Sequence, residues 1–300
     1  MKTLFIAPVG QSVGLSTTAL GVVRSLQRQG LKVGFCKPIA QEHIEEGVLD
    51  RSVHFAKQSC GIDAPIPVTL ERAEELLGQN QLDSLMEEVV GVCHQAAMGV
   101  DVLVVEGLAL TTHNAYAHQL NTTLARDLDA DTLLVSSLRK VKLADLADQI
   151  EIAMRDFAST SRPHAVGVIL NHGNEQTNVS LVRQSLQRGR LRQLTILGVV
   201  AYHAALLYPR TLDVARHLSA NLLNEGAISN RRVQTNFMVA RSVEHIADQL
   251  RTGILVITPG DRQDIIMAAS LASMNGVPLA GLLLTCGYLP DESIRRLCRP

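Results

Sequence analysis

Residues 7–21, APVGQSVGLSTTALG, decide the fold, because they join a short apolar run to a stretch with helical periodicity. The run that leads into them, TLFIA at residues 3–7, is typical of a buried strand. Apolar residues then recur at helical spacing, and a glycine marks the helix end: Leu15, Ala19, Val22, Val23, Leu26 and Gly30. In a strand–turn–helix unit with glycines in the turn, several backbone N–H groups point at one spot. The stretch therefore predicts an α/β fold with an anion-binding turn.

The turn is an incomplete version of the P-loop, G-x-x-x-x-G-K-[ST]. When the motif is aligned on Gly14, Val9 takes the place of the first glycine and Gly10 lies one position later. Leu15 takes the place of the lysine, and Ser16 keeps the hydroxyl position. The backbone part of the motif is therefore kept, whereas its cation is missing.

The missing lysine separates binding from hydrolysis. The N–H groups of the turn and the positive end of the helix dipole still suit a phosphate group. A charge-stabilising contact contributes ~3–4 kcal/mol to a transition state, so binding is expected and efficient hydrolysis is not. The candidate phosphate-binding residues are Gly10, Gln11, Ser12, Gly14, Ser16 and Thr17. A turn that binds no ligand is the alternative that the motif alone leaves open.

A lysine and a carboxylate follow two further predicted strands. Lys37 ends the strand in FCKPIAQ, and Glu106 ends the strand in VVEGLAL. Because ligands of open parallel sheets lie beyond the carboxyl ends of the strands, both side chains are expected near Gly14. They suit a phosphate group and its magnesium ion, with Ser16 and Glu106 as candidate Mg²⁺ ligands. A structural ion pair between Lys37 and Glu106 is the alternative.

Asn171 ends the strand in GVILN at the same edge of the sheet. Its amide is a candidate for hydrogen bonding to a nucleotide base. The alternative, which is the favoured interpretation, is that it caps the helix that follows.

The rest of the first 200 residues alternates short apolar runs with amphipathic stretches. The runs predict strands at 32–36, 101–107, 131–136, 165–171 and 194–200, and helical periodicity is clear in LDSLMEEVVGVCHQAAMG and KLADLADQIEIAMRDF. Strands that alternate with helices indicate a mostly parallel sheet covered on both faces. We predict a P-loop-like, three-layer α/β domain over residues 1–205.

A second, smaller α/β unit is predicted over residues 210–300. It contains a short helix in TLDVARHL, a strand in VQTNFMVA, a helix in SVEHIADQL, strands in GILVIT and LAGLLLT, a helix in DIIMAASLASMNG and a last short helix. Its final residues, SIRRLCRP, come soon after a strand, so the unit is expected to be incomplete at its C-terminus.

Composition excludes several classes of protein. Hydrophobic residues make up 46% of the 300 residues, and the formal net charge is −1, which argues against nucleic acid or membrane surfaces as partners. The five cysteines include no C-x-x-C pair, so a reducing cytoplasm is expected rather than a disulfide framework or zinc site. The ten histidines form no H-E-x-x-H motif. No secretory signal or membrane-spanning run is recognised.

Five stretches of the chain resemble the N-terminal region of long-form bacterial phosphate acetyltransferases. They are PVGQSVGLSTTALGVVRSLQRQGLKVGFCKPIAQ, VLVVEGL, GVILN, ARHLSANLLNEGAISNRRV and GILVITPGDRQDIIMAASLASMNGVPLAGLLLTCGY. The resemblance covers nearly the whole chain. The first part is also similar, more distantly, to the dethiobiotin synthetase group of P-loop proteins. The second resembles the domain named for an Asp-Arg-Thr-Gly-Gly motif, of which only Asp261 and Arg262 are matched here. These two residues either serve that domain's function or only shape a turn, and the turn is favoured.

The resemblance implies a full-length enzyme that converts acetyl-CoA and phosphate to acetyl phosphate and CoA. It also implies that the transfer chemistry belongs to a C-terminal catalytic domain, which this chain lacks, so the chain is expected to be inactive alone. What remains resembles the regulatory and oligomer-supporting region, with the catalytic domain, further copies of the chain and a small-molecule effector as partners. No cofactor is required, and an ATP- or NADH-type nucleotide with Mg²⁺ is the expected regulatory ligand.

Three functions remain open at this point. A regulatory module binds a nucleotide or metabolite without turnover. An ATP-dependent ligase similar to the dethiobiotin synthetases would need Lys37 to replace the missing P-loop lysine, and Leu15 counts against it. A purely structural oligomerisation module would bind no nucleotide.

Overall fold

The computed structural model describes residues 1–41, 50–112, 114–139, 141–157, 167–174, 177, 179–186, 191 and 194–298. The chain divides into two compact units, Met1–Tyr202 and His203–Pro300. Within the described ranges, no helix combines the length and the apolar character that crossing a membrane would require.

The first unit is built on a six-stranded parallel sheet. Its strands are β1 (Lys2–Pro8), β2 (Val33–Cys36), β3 (Val102–Glu106), β4 (Asp131–Ser137), β5 (Gly167–Gly173) and β6 (Ile196–Ala201), in the spatial order β2-β3-β1-β4-β5-β6. The predicted α/β class with a parallel sheet is confirmed. The first two residues of the strand predicted at 165–171 lie outside the described part of the chain.

Helices cover both faces of this sheet. They are α1 (Leu15–Arg28), α2 (Arg51–Phe55) with one π-helical turn (Ala56–Cys60), α3 (Leu70–Gly78), α4 (Leu82–Ala96), α5 (Ala117–Asp127), α6 (Leu143–Asp156) and α7 (Val179–Leu186). Successive residues of β1 point to opposite faces: Phe5 and Ala7 join the core under α3–α7, whereas Ile6 joins the core under α1. The result is the predicted three-layer arrangement.

Strand register brings the functional segments to one edge. Ile6 pairs with Glu106 on β3, Pro8 pairs with Val135 on β4, and Ser137 pairs with Asn171 on β5. The chain runs from β1 to β2 and β3 on one side, and from β4 to β5 and β6 on the other. The turn after β1 therefore lies where the direction of winding reverses, which is the usual ligand position in open α/β sheets.

The second unit contains a three-stranded parallel sheet in the order β7-β8-β9. Its elements are a 3₁₀ turn (Ala204–Leu207), α8 (Thr211–His217), β7 (Thr235–Met238), β8 (Ile254–Pro259), α9 (Gln263–Met274), β9 (Gly281–Thr285) and α10 (Glu292–Leu297). A separate apolar core lies between β8 and α9 and includes Val256 and Ile265. The helix predicted in SVEHIADQL is wrong: the segment forms two short 3₁₀ turns, Val243–His245 and Ala247–Gln249.

Candidate functional site

The turn between β1 and α1 has a backbone conformation that demands glycine at one position. Ser12 and Gly14 are left-handed, with φ of 51° and 78°. A Cβ on Gly14 would lie 2.6 Å from the Asn171 Nδ2 atom, so both the dihedral angle and the space exclude a side chain there. Gly10 has neither restriction, since a Cβ there would meet only a Val13 methyl group at 3.7 Å.

Asn171 ties this turn to the end of β5. Its Nδ2 donates to the Val13 carbonyl at 2.9 Å and to Thr18 Oγ1 at 2.8 Å, with a longer contact of 3.4 Å to the Gly14 carbonyl. The favoured prediction, a cap on the following helix, is not found among the described contacts; the amide instead holds the turn. Carbonyl acceptors fix the orientation of the amide, so Oδ1 is the atom left for the predicted base contact.

Four polar side chains meet directly behind the turn. Glu106 Oε1 accepts hydrogen bonds from Ser16 Oγ at 2.7 Å, Lys37 Nζ at 3.1 Å and Ser52 Oγ at 3.0 Å. Ser52 Oγ also lies 3.0 Å from Ser16 Oγ. The structure thus brings together the predicted residues Ser16, Lys37 and Glu106, and adds Ser52. We call these four residues the Glu106 cluster.

Lys37 and Glu106 form a buried ion pair, as the alternative interpretation of these residues predicts. Each side chain is only 1% exposed. Lys37 Nζ also donates to the Gly107 carbonyl at 2.7 Å, so the ammonium is held from two sides. Breaking a buried pair by removing one partner typically costs about 3–5 kcal/mol, because the remaining charge stays buried. The Lys37 ammonium therefore lies at the carboxyl end of the sheet, next to the turn after β1, but it is fixed in place.

Glu106 Oε2 is buried and has no hydrogen-bond partner in the described part of the protein. Glu106 also lines a cavity of about 10 Å³, together with Asn121 and apolar residues that include Leu108 and Leu120. That volume is close to the minimum for a single water molecule. One carboxylate oxygen in the cluster thus remains an open acceptor.

The Leu15 side chain lies in the apolar interior and not at the carboxyl end of the sheet, where a phosphate would bind. It is the first residue of α1, it is 5% exposed, and it belongs to the apolar core that contains Ile6 and Val104. Of the other candidates, Gln11, Ser12 and Thr17 are exposed, whereas Gly10 and Ser16 are half-buried. The residue aligned with the P-loop lysine therefore packs in the core and supplies no cation.

Sequence reasoning missed Ser52 and Thr18. Thr18 is buried, donates to the Gly14 carbonyl at 2.9 Å and accepts from Asn171. Ser52 is placed by the N-cap of α2, where the Asp50 carboxylate accepts from the Ser52 backbone N–H at 2.8 Å. The Asp50-x-Ser52 pattern is a signal for a helix start, but it carries no information about which strand end the helix reaches.

Two side-chain amides fix the loop that follows β3. Asn121 accepts from the Leu108 N–H at 2.7 Å and donates to the Leu108 carbonyl at 2.8 Å. Gln41 accepts from the Ala109 N–H at 2.7 Å. These contacts hold the backbone next to Gly107, whose carbonyl binds Lys37.

His172 lies beside the turn in a strained conformation, with φ of 61°. Ser137 Oγ is 2.8 Å from His172 Nδ1, and the imidazole packs edge-on against Tyr202. The Arg139 guanidinium also lies over the Tyr202 ring, with its carbon 5.1 Å from the ring centre. Burial, followed by the charge of Arg139, lowers the pKa of His172, so the neutral imidazole is favoured.

In the second unit, Arg262 shapes the turn after β8. Its guanidinium pairs with Asp264, at 2.9 Å from both Nε and Nη2, and donates to the Arg241 carbonyl at 3.0 Å. The hydrogen bond from Arg262 lowers the pKa of Asp264. Asp261 is exposed, and its backbone carbonyl accepts from the Gln263 N–H. These contacts agree with the favoured turn-shaping role of Arg262.

The Glu106 cluster already holds a cation. Its one carboxylate is bound by the Lys37 ammonium at 3.1 Å. Across the residues that the structure describes, no group of three or more acidic, histidine or cysteine side chains could hold a metal ion. Ser16 and Glu106, the two predicted Mg²⁺ ligands, are hydrogen-bonded to each other at 2.7 Å, and their role as metal ligands stays a prediction.

Comparison with known families divides the chain in two. Residues 2–210 match the AAA domain family, and residues 213–300 match the DRTGG domain family. The first match covers more than half of the chain.

The chain is similar to curated phosphate acetyltransferases over its whole length. It is 46% identical to that of Deinococcus radiodurans over 99% of this chain and 43% of the relative. It is 43% identical to that of Pseudomonas putida over 100% of this chain and 44% of the relative. The chain thus spans less than half the length of these relatives. Among solved structures, an ATP complex of a Cyanothece McdA variant aligns with 68% of this chain and 85% of that chain, at 17% identity and a TM-score of 0.43.

Proposed function

Since the chain belongs to the AAA domain family and carries the two domains of the N-terminal part of phosphate acetyltransferases, we propose that it is the regulatory region of such an enzyme. The complete enzyme would interconvert acetyl-CoA plus phosphate and acetyl phosphate plus CoA in the cytoplasm. This region would bind a nucleotide or central metabolite at the turn after β1 without converting it. It would act on a catalytic domain elsewhere in the protein.

The observation that carries the proposal is that Leu15, aligned with the P-loop lysine, and Lys37, its candidate replacement, are both fixed in place. Leu15 is packed in the apolar core, and Lys37 is paired with Glu106 and Gly107. The turn leads into the N-terminus of α1, which is 14 residues long, and the first N–H groups of a helix suit an anion. Such a site can bind an anion, but neither Leu15 nor the paired Lys37 supplies a free ammonium for the charge that develops during phosphoryl transfer.

Binding without turnover is sufficient for control. A ligand shifts an equilibrium between two states of an enzyme by the ratio of its affinities for them, and no bond has to be broken. Allosteric coupling of about 1–3 kcal/mol would change the affinity or activity of the catalytic domain roughly 5- to 150-fold.

The proposal is tested by thermal shift and phosphate release on the same preparation. The purified chain is screened against ATP, ADP, NADH and pyruvate. A ligand at one hundred times its Kd should add ~2.7 kcal/mol of stability, which is visible as a higher unfolding temperature. No orthophosphate should be released from ATP beyond the buffer control. Rapid phosphate release would contradict the proposal.

Matched serine variants place the ligand. Ser16→Ala removes a hydroxyl at the first turn of α1, and Ser25→Ala removes an exposed hydroxyl from the same helix. The ligand-induced shift should shrink in Ser16→Ala and stay unchanged in Ser25→Ala. Equal shifts in both variants would move the ligand away from this turn.

An ATP-dependent ligase remains the second candidate, because an ammonium does lie in the Glu106 cluster, one hydrogen bond removed from Ser16. In that case ATP turnover would require a carboxylate or amine co-substrate and would be lost in Ser16→Ala. A purely structural oligomerisation module, the third candidate, is supported if none of the ligands shifts the unfolding temperature.

A further inference from the structure

We infer that Lys37 is a built-in counter-cation that takes the place of a divalent metal ion at Glu106, so that ligands of this turn bind without Mg²⁺. The exclusion of a divalent ion follows from the Glu106 cluster alone, whereas ligand binding without Mg²⁺ rests on the proposed function.

The oxygen atoms that a magnesium ion would use are already engaged in hydrogen bonds. A Mg²⁺ ion next to a phosphate-binding turn is usually held by a hydroxyl and a carboxylate oxygen. Here the corresponding atoms, Ser16 Oγ and Glu106 Oε1, are hydrogen-bonded to each other at 2.7 Å. Ser52 Oγ, the third oxygen, is within 3.0 Å of both. Three donors already converge on Oε1, so a divalent cation on that oxygen would have to displace the ammonium.

The charge of Lys37 also opposes a divalent ion at Glu106. The Glu106 carboxylate is neutralised by Lys37 Nζ at 3.1 Å, and both side chains are only 1% exposed. A divalent ion on the same oxygen would stand next to an ammonium, and like charges repel strongly where the dielectric constant is low. Metal binding would therefore require Lys37 to leave.

The Lys37 ammonium is also held in place by its burial and its hydrogen bonds. Its side chain is 1% exposed, and its Nζ is also held by the Gly107 carbonyl at 2.7 Å. That carbonyl belongs to the loop fixed by Asn121 and Gln41. Moving the ammonium would break two charge-assisted hydrogen bonds and leave Glu106 as a buried, uncompensated charge.

Removal of the Lys37 ammonium should leave a set of oxygen atoms that can bind a metal ion. Without Lys37, Oε1 loses its cation, and Oε2 is buried with no hydrogen-bond partner among the described residues. The two carboxylate oxygens and the hydroxyl groups of Ser16 and Ser52 then form an all-oxygen set that carries the carboxylate charge and holds no cation. Oxygen ligands around one carboxylate suit Mg²⁺ or Mn²⁺. A lysine-to-methionine change should thus convert a metal-indifferent site into a metal-dependent one.

The experiment measures unfolding temperature with the metal alone. Wild type and Lys37→Met are each heated in EDTA, in millimolar MgCl₂ and in NaCl of equal ionic strength. Wild type should unfold at the same temperature in all three buffers. Lys37→Met should unfold at a lower temperature in EDTA, and MgCl₂ but not NaCl should recover a clear part of the loss. A saturable rise of the wild-type unfolding temperature with MgCl₂ would overturn the inference.

Lys57→Met is the matched control, because Lys57 is 67% exposed and pairs only with the 81% exposed Asp63 among the contacts described. It should behave as wild type in every buffer. Recovery of Lys57→Met by MgCl₂ would show that the effect does not depend on the Glu106 cluster, and would count against the inference.

A second measurement uses wild type only, and it decides the matter even where Lys37→Met does not fold. Mn²⁺ is titrated into the protein and the free ion is followed by electron paramagnetic resonance. The signal should equal that of buffer at all ratios, whereas one tightly bound Mn²⁺ per chain would refute the inference. Neither experiment contains a nucleotide, so failure of the proposed function and failure of this inference remain distinguishable.

Discussion

At the scale of single residues, the turn after β1 shows how one backbone conformation selects one amino acid. Gly14 is left-handed, and the space where its side chain would lie is filled by the Asn171 amide. The P-loop-like spacing therefore survives because the turn needs a glycine at this position. The hydroxyl and amide contacts around it then hold the turn to β5.

Gly14→Ala should destabilise the first unit by roughly 2–4 kcal/mol, since it adds left-handed strain and a clash with Asn171. Gly10→Ala is the control and should stay within about 0.5 kcal/mol of wild type, because its new Cβ meets no tight contact. Urea unfolding followed by circular dichroism gives both values. Equal stability of the two variants would mean that the backbone at Gly14 is not left-handed in solution.

His172 predicts a pH dependence. Its pKa in the folded protein is lowered by burial and then by Arg139, from an ordinary value of 6.5. As the pH falls below the ordinary value, the unfolded chain takes up a proton that the folded imidazole resists, so stability falls toward acid. Above that value the contribution no longer changes. His172→Asn, which tolerates the left-handed backbone, should flatten this part of the curve of unfolding temperature between acid and neutral pH.

The same comparison has a clear negative outcome. If wild type and His172→Asn lose stability in parallel as the solution is acidified, other groups cause the loss and the imidazole titrates normally in the folded state.

At the scale of elements, the loop after β3 is held by side-chain amides and not by regular secondary structure. Asn121, on α5, makes two hydrogen bonds to the backbone of Leu108 and is 2% exposed. Asn121→Ala should cost about 2–4 kcal/mol, because two buried backbone groups lose their partners. Gln119→Ala, at an exposed position of the same helix, should stay within about 0.5 kcal/mol of wild type.

Hydrogen exchange adds a local readout to that pair of variants. The Leu108 amide should exchange faster in Asn121→Ala and at the wild-type rate in Gln119→Ala. Unchanged protection in Asn121→Ala would show that the loop is held by other contacts.

Elements of the first unit are largely predictable from sequence, for a physical reason. A parallel strand is buried on both faces, so it reads as a continuous apolar run, and helices that cover the sheet carry an apolar stripe. The same rule places Lys37 and Glu106 at strand ends on one edge of the sheet. Ser52 escapes it, because its position depends on where a helix begins after a long connection. The helix predicted around Val243 failed because its apolar residues pack as separate short turns.

At the scale of the whole molecule, the first unit has two apolar cores, one on each face of its sheet, and the second unit has a separate one. Residues 1–202 contain the turn, the Glu106 cluster and both cores of the larger sheet. We expect a fragment of these residues to fold alone and to keep the ligand-induced thermal shift of the full chain. A fragment that folds but loses the shift would show that the second unit contributes to binding.

The outer face of α9 bears on the proposed self-association of the chain. Met267, Leu271 and Met274 recur at spacings of four and three residues and are 47%, 58% and 73% exposed. The opposite face of α9 packs against β8 through Ile265 and its neighbours, so the helix is apolar on both sides. Helices that are apolar all round are normally covered by other protein. In a two-fold dimer, a second copy presenting the same stripe in the opposite direction would cover these side chains.

Sedimentation velocity tests this expectation with a matched pair of variants. Wild type should sediment as a dimer or larger assembly, and Leu271→Glu should shift toward the monomer, because a buried carboxylate would face its own copy across the interface. Ile152→Glu places the same charge at a 57% exposed apolar position on α6 and should leave the assembly intact. A wild-type chain that is monomeric at every concentration, or an equal effect of both variants, would remove α9 as the contact. Because Leu271 and Ile152 are almost equally exposed, the comparison separates the apolar stripe from a general effect of added negative charge.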